Sequence, residues 1–319
     1  MNPGPARVLD SLRRAGGRSC SGEVLSESQG VSRGQVWKDV RTLRARGYTI
    51  EAEPGDGYRL VAVPDRLYPE EIALGLATRW LARDIHYFEE TDSTNRAALD
   101  LARTGAAHGT TVIAEAQTAG RGRLGRTFFS PPGTNLYTSV LLRPKLTTAE
   151  APAWILASAV AVAETVAEFV ERPDAVEIKW PNDVLIERRK VAGILVEARP
   201  DAGWAVIGIG VNVSTTDADL PPDVRGSATS LAQASPPAPA VEAMLATVLQ
   251  ALARRLSDPH EWVLEAWRSR DLLRGERVRW RDGEGLAGGI DEAGRLLVEQ
   301  RAGIAALDAG EVHLLAGPG

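Results

Sequence analysis

The chain has 319 residues, 44% hydrophobic and 25% charged, with a net charge of -5, which excludes wholesale disorder and argues for two or three folded domains. One cysteine, Cys20, and four histidines exclude an internal disulfide and a Cys/His zinc cage, and the lack of disulfides fits a reducing cytoplasm. Residues 1–64 hold 10 Lys+Arg against 7 Asp+Glu, a net of +3, so a small basic module precedes an acidic body of net -8; that balance excludes a general nucleic-acid coat protein.

The N-terminus, MNPGPARVLD, lacks an apolar stretch, so no signal peptide is expected. No run approaches the roughly 18 uncharged apolar residues of a membrane span; the best, residues 153–163, is Ala-rich, short and followed by Glu164. Val8, Leu9 and Leu12 give a first helix one apolar face, and residues 23–29 form a short helix stopped by Gly30. Ser32 and Gln35 have the spacing of a capping box. In the helix they open, Val36, Val40 and Leu43 make a buried stripe, while Arg33, Trp37, Arg41 and Arg44 fall on another face. Residues 48–53 and 58–61, joined by Pro54-Gly55-Asp56-Gly57, read as a hairpin. Together these elements make a winged helix-turn-helix over residues 1–63, whose recognition helix would offer Ser32, Arg33, Gln35, Trp37, Lys38, Arg41 and Arg44 to DNA. A protein-interaction or vestigial winged helix has the same pattern.

Residues 64–271 alternate strand and helix. Helices are expected over 69–83, 94–104, 149–171, 240–256 and 259–270, and strands over 85–89, 110–116, 136–143, 176–180, 184–186, 191–198 and 204–213. Several strands follow one another without a helix between them, so the sheet is mixed rather than all-parallel. Residues 272–319 read as short strands, at 276–281, 286–290, 295–300 and 311–315, punctuated by Asp282-Gly283 and Ala293-Gly294; the pattern suggests a small β-barrel. The fold class is α+β.

The sharpest motif is Gly120-Arg121-Gly122-Arg123-Leu124-Gly125-Arg126. It satisfies G-x-G-x-x-G, but a dinucleotide site needs a helix directly after the glycines, and Thr127-Phe128-Phe129-Ser130-Pro131-Pro132 cannot open one. Three guanidinium groups within six positions repel one another unless an anion sits among them. Glycines let backbone amides approach that anion, and arginine offers it bidentate donors. The loop therefore reads as a phosphate clamp, mobile when empty; the plain alternative is a solvated basic turn.

Other segments carry weaker signals. Residues 90–95 (Glu-Thr-Asp-Ser-Thr-Asn) start a helix, with Asp92 or Ser93 as N-cap, and also aim hydroxyls and amides outward. Lys179-Trp180-Pro181-Asn182-Asp183 reads as a strand ending in an Asn-Asp turn. Lys190 follows a charged hairpin at 187–189, and Gly208-Ile209-Gly210-Val211-Asn212 is a Gly-alternating strand suited to close approach of a ligand. Gly30-Val31-Ser32-Arg33-Gly34 matches a nucleophile-elbow pattern, but it lies between two short helices, where capping accounts for Ser32.

Taken together, Glu90 to Asn95, Gln117, the GRGRxGR loop, Asn135-Leu136-Tyr137, the KWPND segment and Lys190 to Glu197 closely resemble the biotin–protein ligases. In particular they resemble the bifunctional bacterial form that is also the biotin operon repressor. The resemblance covers nearly the whole chain. It implies a winged helix, a central mixed-sheet biotin/lipoate-ligase-like catalytic domain and a C-terminal SH3-like barrel. It also implies that biotin and ATP give biotinyl-5′-AMP and pyrophosphate, and that biotin then passes to a lysine of a biotin carboxyl carrier protein. By the same resemblance Ser93, Thr94, Asn95, Gln117, Gly120, Arg121, Gly122, Arg123, Lys190, Gly193 and Asn212 contact biotin or adenylate. Arg121, Arg123 and Lys190 would be catalytic and Arg126 would belong to the phosphate loop. No metal ligand is certain; Asp183 is a candidate for Mg²⁺. Operator DNA is an expected partner, with ligand-dependent homodimerisation, and no membrane is expected.

The physical reading agrees. A carboxylate attacking a triphosphate brings like charges together, so cations must converge on both, and an adenylate must be shielded from water. No enzyme nucleophile is needed, and no Ser/His or Cys/His pair is credible. Two departures stand out: Phe128 replaces the Trp of the repressor-type relatives, and Trp37 and Arg41 replace smaller polar residues, so the DNA target is expected to differ. A ligase without DNA binding, a repressor without transfer activity, and a lipoate–protein ligase are the alternatives; the GRGRxGR and KWPND pair favours biotin.

Overall fold

The computed structural model describes residues 3–53, 55–64, 66–143, 151–301, 303–308 and 310–315. The chain forms two compact units, Met1–Glu70 and Glu71–Gly319.

In the first unit, α1 (Pro3–Arg14), α2 (Gly22–Gln29) and α3 (Arg33–Ala45) precede the antiparallel hairpin β1 (Thr49–Glu53) and β2 (Gly57–Ala62). Val8, Leu9, Leu12, Leu25, Val36, Val40 and Leu43 meet in its core, each no more than 1% exposed. Gly30 ends α2 at φ 64°, the left-handed conformation expected of a helix stop. Half of the expected capping box forms: the Gln35 amide donates to Ser32 Oγ at 3.1 Å. The Gln35 side chain does not reach back. It donates to Asp39, one turn on, because Asp39 is a buried carboxylate in need of a donor. Pro54, in the expected hairpin turn, lies outside the described residues.

The helix α4 (Pro69–Gly75) straddles the boundary between the two units. The helix expected to run to residue 83 stops there. Leu81 is buried and Ala82 takes φ 58°, its amide donating to Gly109, so the chain docks beside the sheet before its first strand. Then follow β3 (Ile85–Thr91), α5 (Thr94–Arg103), β4 (Thr111–Gln117), β5 (Asn135–Leu142), α6 (Ala151–Glu168), β6 (Val176–Lys179), β7 (Asp183–Ile186), β8 (Arg189–Arg199) and β9 (Trp204–Asn212). The sheet order is β3-β4-β5-β9-β8-β7-β6, and only β3–β4 is a parallel pair, so the sheet is mixed as expected. After it come α7 (Leu231–Ala234), α8 (Val241–Arg255) and α9 (His260–Arg268).

Register places the site. Gly193 pairs with Gly210, which pairs with Tyr137; Leu195 pairs with Gly208, which pairs with Ser139. These positions share one sheet face. Further along that face, Val112, Leu141 and Val206 pack under Ala98 and Ala102 of α5. α5 thus covers one part of the face and leaves the glycine rows beside its N-terminus open.

α6 packs on α8, α9 and β8. Among the described residues it is the helix long and apolar enough to cross a membrane, but 56% of it is buried inside the protein. The sequence alone did not suggest such a span, because the run over 153–163 is short, Ala-rich and followed by Glu164. Residues 149 and 150, expected at its start, lie outside the described residues.

The C-terminal strands β10 (Arg277–Trp280), β11 (Gly283–Ile290), β12 (Leu296–Gln300), β13 (Gly303–Leu307) and β14 (His313–Leu314) form an antiparallel sheet of order β13-β12-β11-β10-β14. Strand β13 was not expected. Asp271 sits where this sheet meets the edge strand β6, bridged to Ile178. Burial pushes its carboxyl up to about 6, against the pull of the Leu273 and Arg274 amides and the Arg274 charge. A folded-state value above the unfolded one means stability that is present at low pH and lost as pH rises through about 6. Asp271→Asn is therefore expected to raise stability by about 3 kcal/mol at pH 8 and by close to nothing at pH 4, read as thermal midpoints at both values. An equal gain at both would refute the burial argument.

Candidate active site

Loop 117–130 crosses the open end of the sheet face. Gly120 O accepts from Phe128 N and Gly122 N donates to Arg126 O, which close the loop on itself. Only one short 3₁₀ turn, Arg123–Gly125, interrupts it. No helix follows the glycines, as the sequence required. Gly120 is fixed by sterics, since a Cβ there would lie 2.4 Å from Phe128 O.

Ser93, Thr94, Asn95, Gln117, Arg121, Gly122, Arg123, Lys190 and Gly193 line one pocket with Phe128, Asn182, Ile194, Leu195, Gly208, Ile209 and Gly210. Nine of the eleven expected ligand-contacting residues thus come together. Two do not line it. Gly120 acts in loop closure, as above. Asn212, at the end of β9, donates to Thr229 O at 3.0 Å and so holds the 228–230 segment instead. Arg126 also points elsewhere, pairing with Glu311 beside the C-terminal sheet.

Ser93 is the N-cap of α5, but its hydroxyl makes no capping bond. The Thr94 amide donates instead to Gln117 Oε1 at 2.9 Å, so a strand side chain does the capping and Ser93 is left facing the pocket. Gln117 Nε2 in turn donates to Ser130 Oγ at 2.9 Å, and Ser130 to Phe128 O. The glycines of β9 make room for other side chains. A Cβ on Gly208 would lie 2.0 Å from Asn95 Oδ1, and one on Gly210 would lie 2.6 Å from Phe128 Cε1.

Each cation of the site already has a protein partner. Arg121 Nη1 donates to both oxygens of Glu197 at 3.0 Å. Arg123 Nη1 donates to Asn182 Oδ1 at 3.1 Å. Lys190 Nζ lies 2.7 Å from Asp183 Oδ1. The mutual repulsion of the arginines is thus relieved by the protein's own acceptors. Burial lowers the Arg123 pKa from its ordinary value, with Asp183 and Glu311 opposing. Lys179, too, is pushed down by burial, with Asp183 and Glu311 pulling it back; it shares the sheet row of Asp183 and Gly193. The cavity left among these residues is about 50 Å³, far below the ~300 Å³ of a small-molecule site.

The profile of the biotin/lipoate A/B protein ligase family matches residues 87–214, that of an HTH domain residues 6–59, and that of the biotin protein ligase C terminal domain residues 275–315. The chain is 34% identical over 318 residues to the bifunctional ligase/repressor BirA of Bacillus subtilis, covering 96% of this chain and 97% of that one. It is 34% identical over 332 residues to BirA of Escherichia coli K12, covering 98% of each. The chain belongs to the biotin–protein ligase family. Among solved structures, the biotin protein ligase of Aquifex aeolicus in complex with biotin and ATP superimposes with a TM-score of 0.64 at 30% identity, over 74% of this chain and 100% of that one.

The structure adds contacts that the motifs did not assign: Asn182 to Arg123, Glu197 to Arg121, and Ser139 to Thr94 and Asn95, while Phe128, a departure noted in the sequence, lines the pocket. Glu197, the last residue of the KxAGILxE stretch, was legible as motif but not as the partner of Arg121. Ser139 is fully buried beneath the pocket, 2.8 Å from Thr94 Oγ1 and 2.7 Å from Asn95 Oδ1.

The Arg126–Glu311 pair fastens the loop to the C-terminal sheet. The guanidinium holds the Glu311 carboxyl below its ordinary value. Glu311→Gln is expected to speed tryptic cleavage at Arg121, Arg123 and Arg126 several-fold, with biotin and ATP restoring protection. Cleavage at the wild-type rate would show that the pair does not hold the loop.

In the first unit, Trp37, Lys38 and Arg41 face solvent, with the Arg41 guanidinium 4.8 Å over the Trp37 ring. Arg33 is exposed but paired with Glu23 at 2.6 Å, and Ser32 and Gln35 serve the helix as described. Arg44, expected to be available, donates to Ile50 O at 2.6 and 2.8 Å and braces the hairpin. Asp183 is tied to Lys190, and among the described residues no group of three His, Cys, Asp or Glu could cage a metal.

Proposed function

We infer that this protein is an ATP-dependent biotin–protein ligase that also serves as a biotin-responsive repressor of biotin synthesis genes. A biotin carboxylate oxygen attacks the α-phosphorus of ATP; the acyl–phosphate bond forms, the bond to the β-phosphate oxygen breaks, and pyrophosphate leaves with the electron pair. The deprotonated ε-amine of a lysine on a biotin carboxyl carrier protein then attacks the acyl carbon and AMP departs. The observation that carries this reading is the meeting of Arg121, Arg123 and Lys190 over a glycine floor beside Ser93, Thr94 and Gln117.

Arg121, Arg123 and Lys190 would exchange their protein partners for the substrate carboxylate and phosphates and neutralise the charge developing between them. Arg126, on leaving Glu311, and Lys179, in the sheet row of Asp183, would be the next cations for further phosphate oxygens. Ser93, Thr94, Asn95 and Gln117 supply polar partners for the ureido ring, and Gly193, Gly208 and Gly210 leave room for the apolar arm. The 120–128 loop closes over the adenylate and keeps water out.

Mg²⁺ is commonly held by one or two carboxylates plus substrate phosphates. The partly buried Asp183 beside Lys190 fits the first part of that set, and bound Mg²⁺ would supply charge neutralisation.

We further propose domain limits at 1–63, 64–271 and 272–319. The last domain would be an SH3-like barrel, and the protein would be cytoplasmic and form a ligand-dependent homodimer on operator DNA read by Trp37, Lys38 and Arg41. Incubation with ATP and either biotin or lipoate, followed by mass analysis of bound small molecules, tests the substrate; retention of lipoyl-AMP in place of biotinyl-AMP would overturn it. A gel shift on the biotin-gene promoters, with and without biotin plus ATP, tests the repressor; no shift in either condition leaves the ligase alone.

A further inference from the structure

We propose that Ser139 is a positioning residue which fixes the direction of a buried hydrogen-bond chain, so that the Thr94 hydroxyl can only accept from the ligand. This rests on the biotin reading above.

The chain starts at Glu197. Its carboxylate receives both bonds from Arg121 and has no proton to give. The Asn95 atom 2.9 Å from Glu197 Oε2 must therefore be the donor nitrogen, which is how Nδ2 stands, and it also reaches Leu195 O at 3.4 Å. That orientation turns Asn95 Oδ1 toward Ser139, 2.7 Å away. An amide oxygen carries no hydrogen, so the Ser139 proton must fill this gap. Ser139 Oγ is also 2.8 Å from Thr94 Oγ1, and two oxygens that close without a proton between them repel. The only hydrogen left is that of Thr94, so Thr94 donates to Ser139. The alternative acceptor for Thr94, Gln117 Oε1, is farther, at 3.2 Å, and already takes the Thr94 amide.

Thr94 then offers the pocket lone pairs and no proton. A ligand N–H satisfies it and a ligand carbonyl does not. The ureido ring presents both kinds of edge, so the chain decides which way round the ring sits. Ser139 is fully buried, Thr94 is 4% exposed and Asn95 3%; water cannot reorient a chain so enclosed. Gly208 is part of the device, because any side chain there would displace the Asn95 carboxamide.

The test compares Ser139→Ala with Thr138→Val. Thr138 is the neighbouring residue on β5, equally buried, with its side chain on the opposite sheet face, where its hydroxyl donates to the Val112 main-chain O. Ser139→Ala loses two buried hydrogen bonds and Thr138→Val one, so the midpoint should fall at least as far for Ser139→Ala, and the readout that separates the roles is ligand binding. Calorimetric titration of biotin into the full-length protein is expected to show at least tenfold weaker binding for Ser139→Ala and binding within twofold of wild type for Thr138→Val. In steady state, Ser139→Ala should raise KM for biotin with KM for ATP and kcat near wild type. Ser139→Ala binding biotin within twofold of wild type, or Thr138→Val weakened as much, would overturn the proposal. Wild-type protein failing to bind biotin at all would overturn the ligase reading beneath it, a different result from either.

Discussion

Arg123→Ala and Lys190→Ala are each expected to cut pyrophosphate release at saturating biotin and ATP by roughly 10²–10³-fold, as removal of a preorganised charge from a developing anion does elsewhere. The fold should survive. Arg123 gives up one bond to Asn182, whose own Nδ2 still donates to Ile194 O at 2.8 Å. Lys190 gives up an ion pair with an Asp183 side chain that is 26% exposed and so remains in reach of water. A single-turnover assay, together with a melt of each variant, separates the two effects. Wild-type pyrophosphate release from both variants would show that these cations are not at the reacting phosphate.

Gly208→Ala is expected to be nearly as damaging, although it adds one methyl group to a strand where alanine is otherwise tolerated. The new Cβ would stand 2.0 Å from Asn95 Oδ1, so the carboxamide must leave, and with it the bonds to Glu197 and Ser139. Biotin affinity should fall on the order of 100-fold, with a loss of stability of about 1–3 kcal/mol from the overpacked site. In an Asn95→Ala background the same glycine substitution should cost little more, because the colliding atoms are gone; the double-mutant cycle measures this directly. Additive losses would mean that the glycine serves some other neighbour.

Much of this architecture was readable from local signals. Apolar spacing located α1, α3, α5 and α8, turn glycines bounded the hairpins, and crowding of three arginines among glycines marked the anion site. Local signals failed where a distant partner decides. The expected helix over 69–83 is cut short because the chain must meet Gly109 and enter β3. Strand β13 was missed because Gly-Ile-Ala-Ala-Leu has little β-branching, and its pairing with β12 supplies what propensity does not. Ser139, on an all-buried strand, looks like any small core residue. Its role rests on Asn95, 44 positions away, and Asn95 on Glu197, 102 positions away. The arginine motif was legible, but the Glu197, Asn182 and Asp183 acceptors that hold the cations were not, because register rather than spacing brings them there.

The most direct test is a crystal structure of the protein with bound biotinyl-5′-AMP. Arg121, Arg123 and Lys190 are expected to have released Glu197, Asn182 and Asp183 and to contact the acyl phosphate, with Phe128 and the 120–128 loop over the ligand. The same three side chains still on their protein partners, or turned to solvent around an adenylate bound elsewhere, would contradict the account.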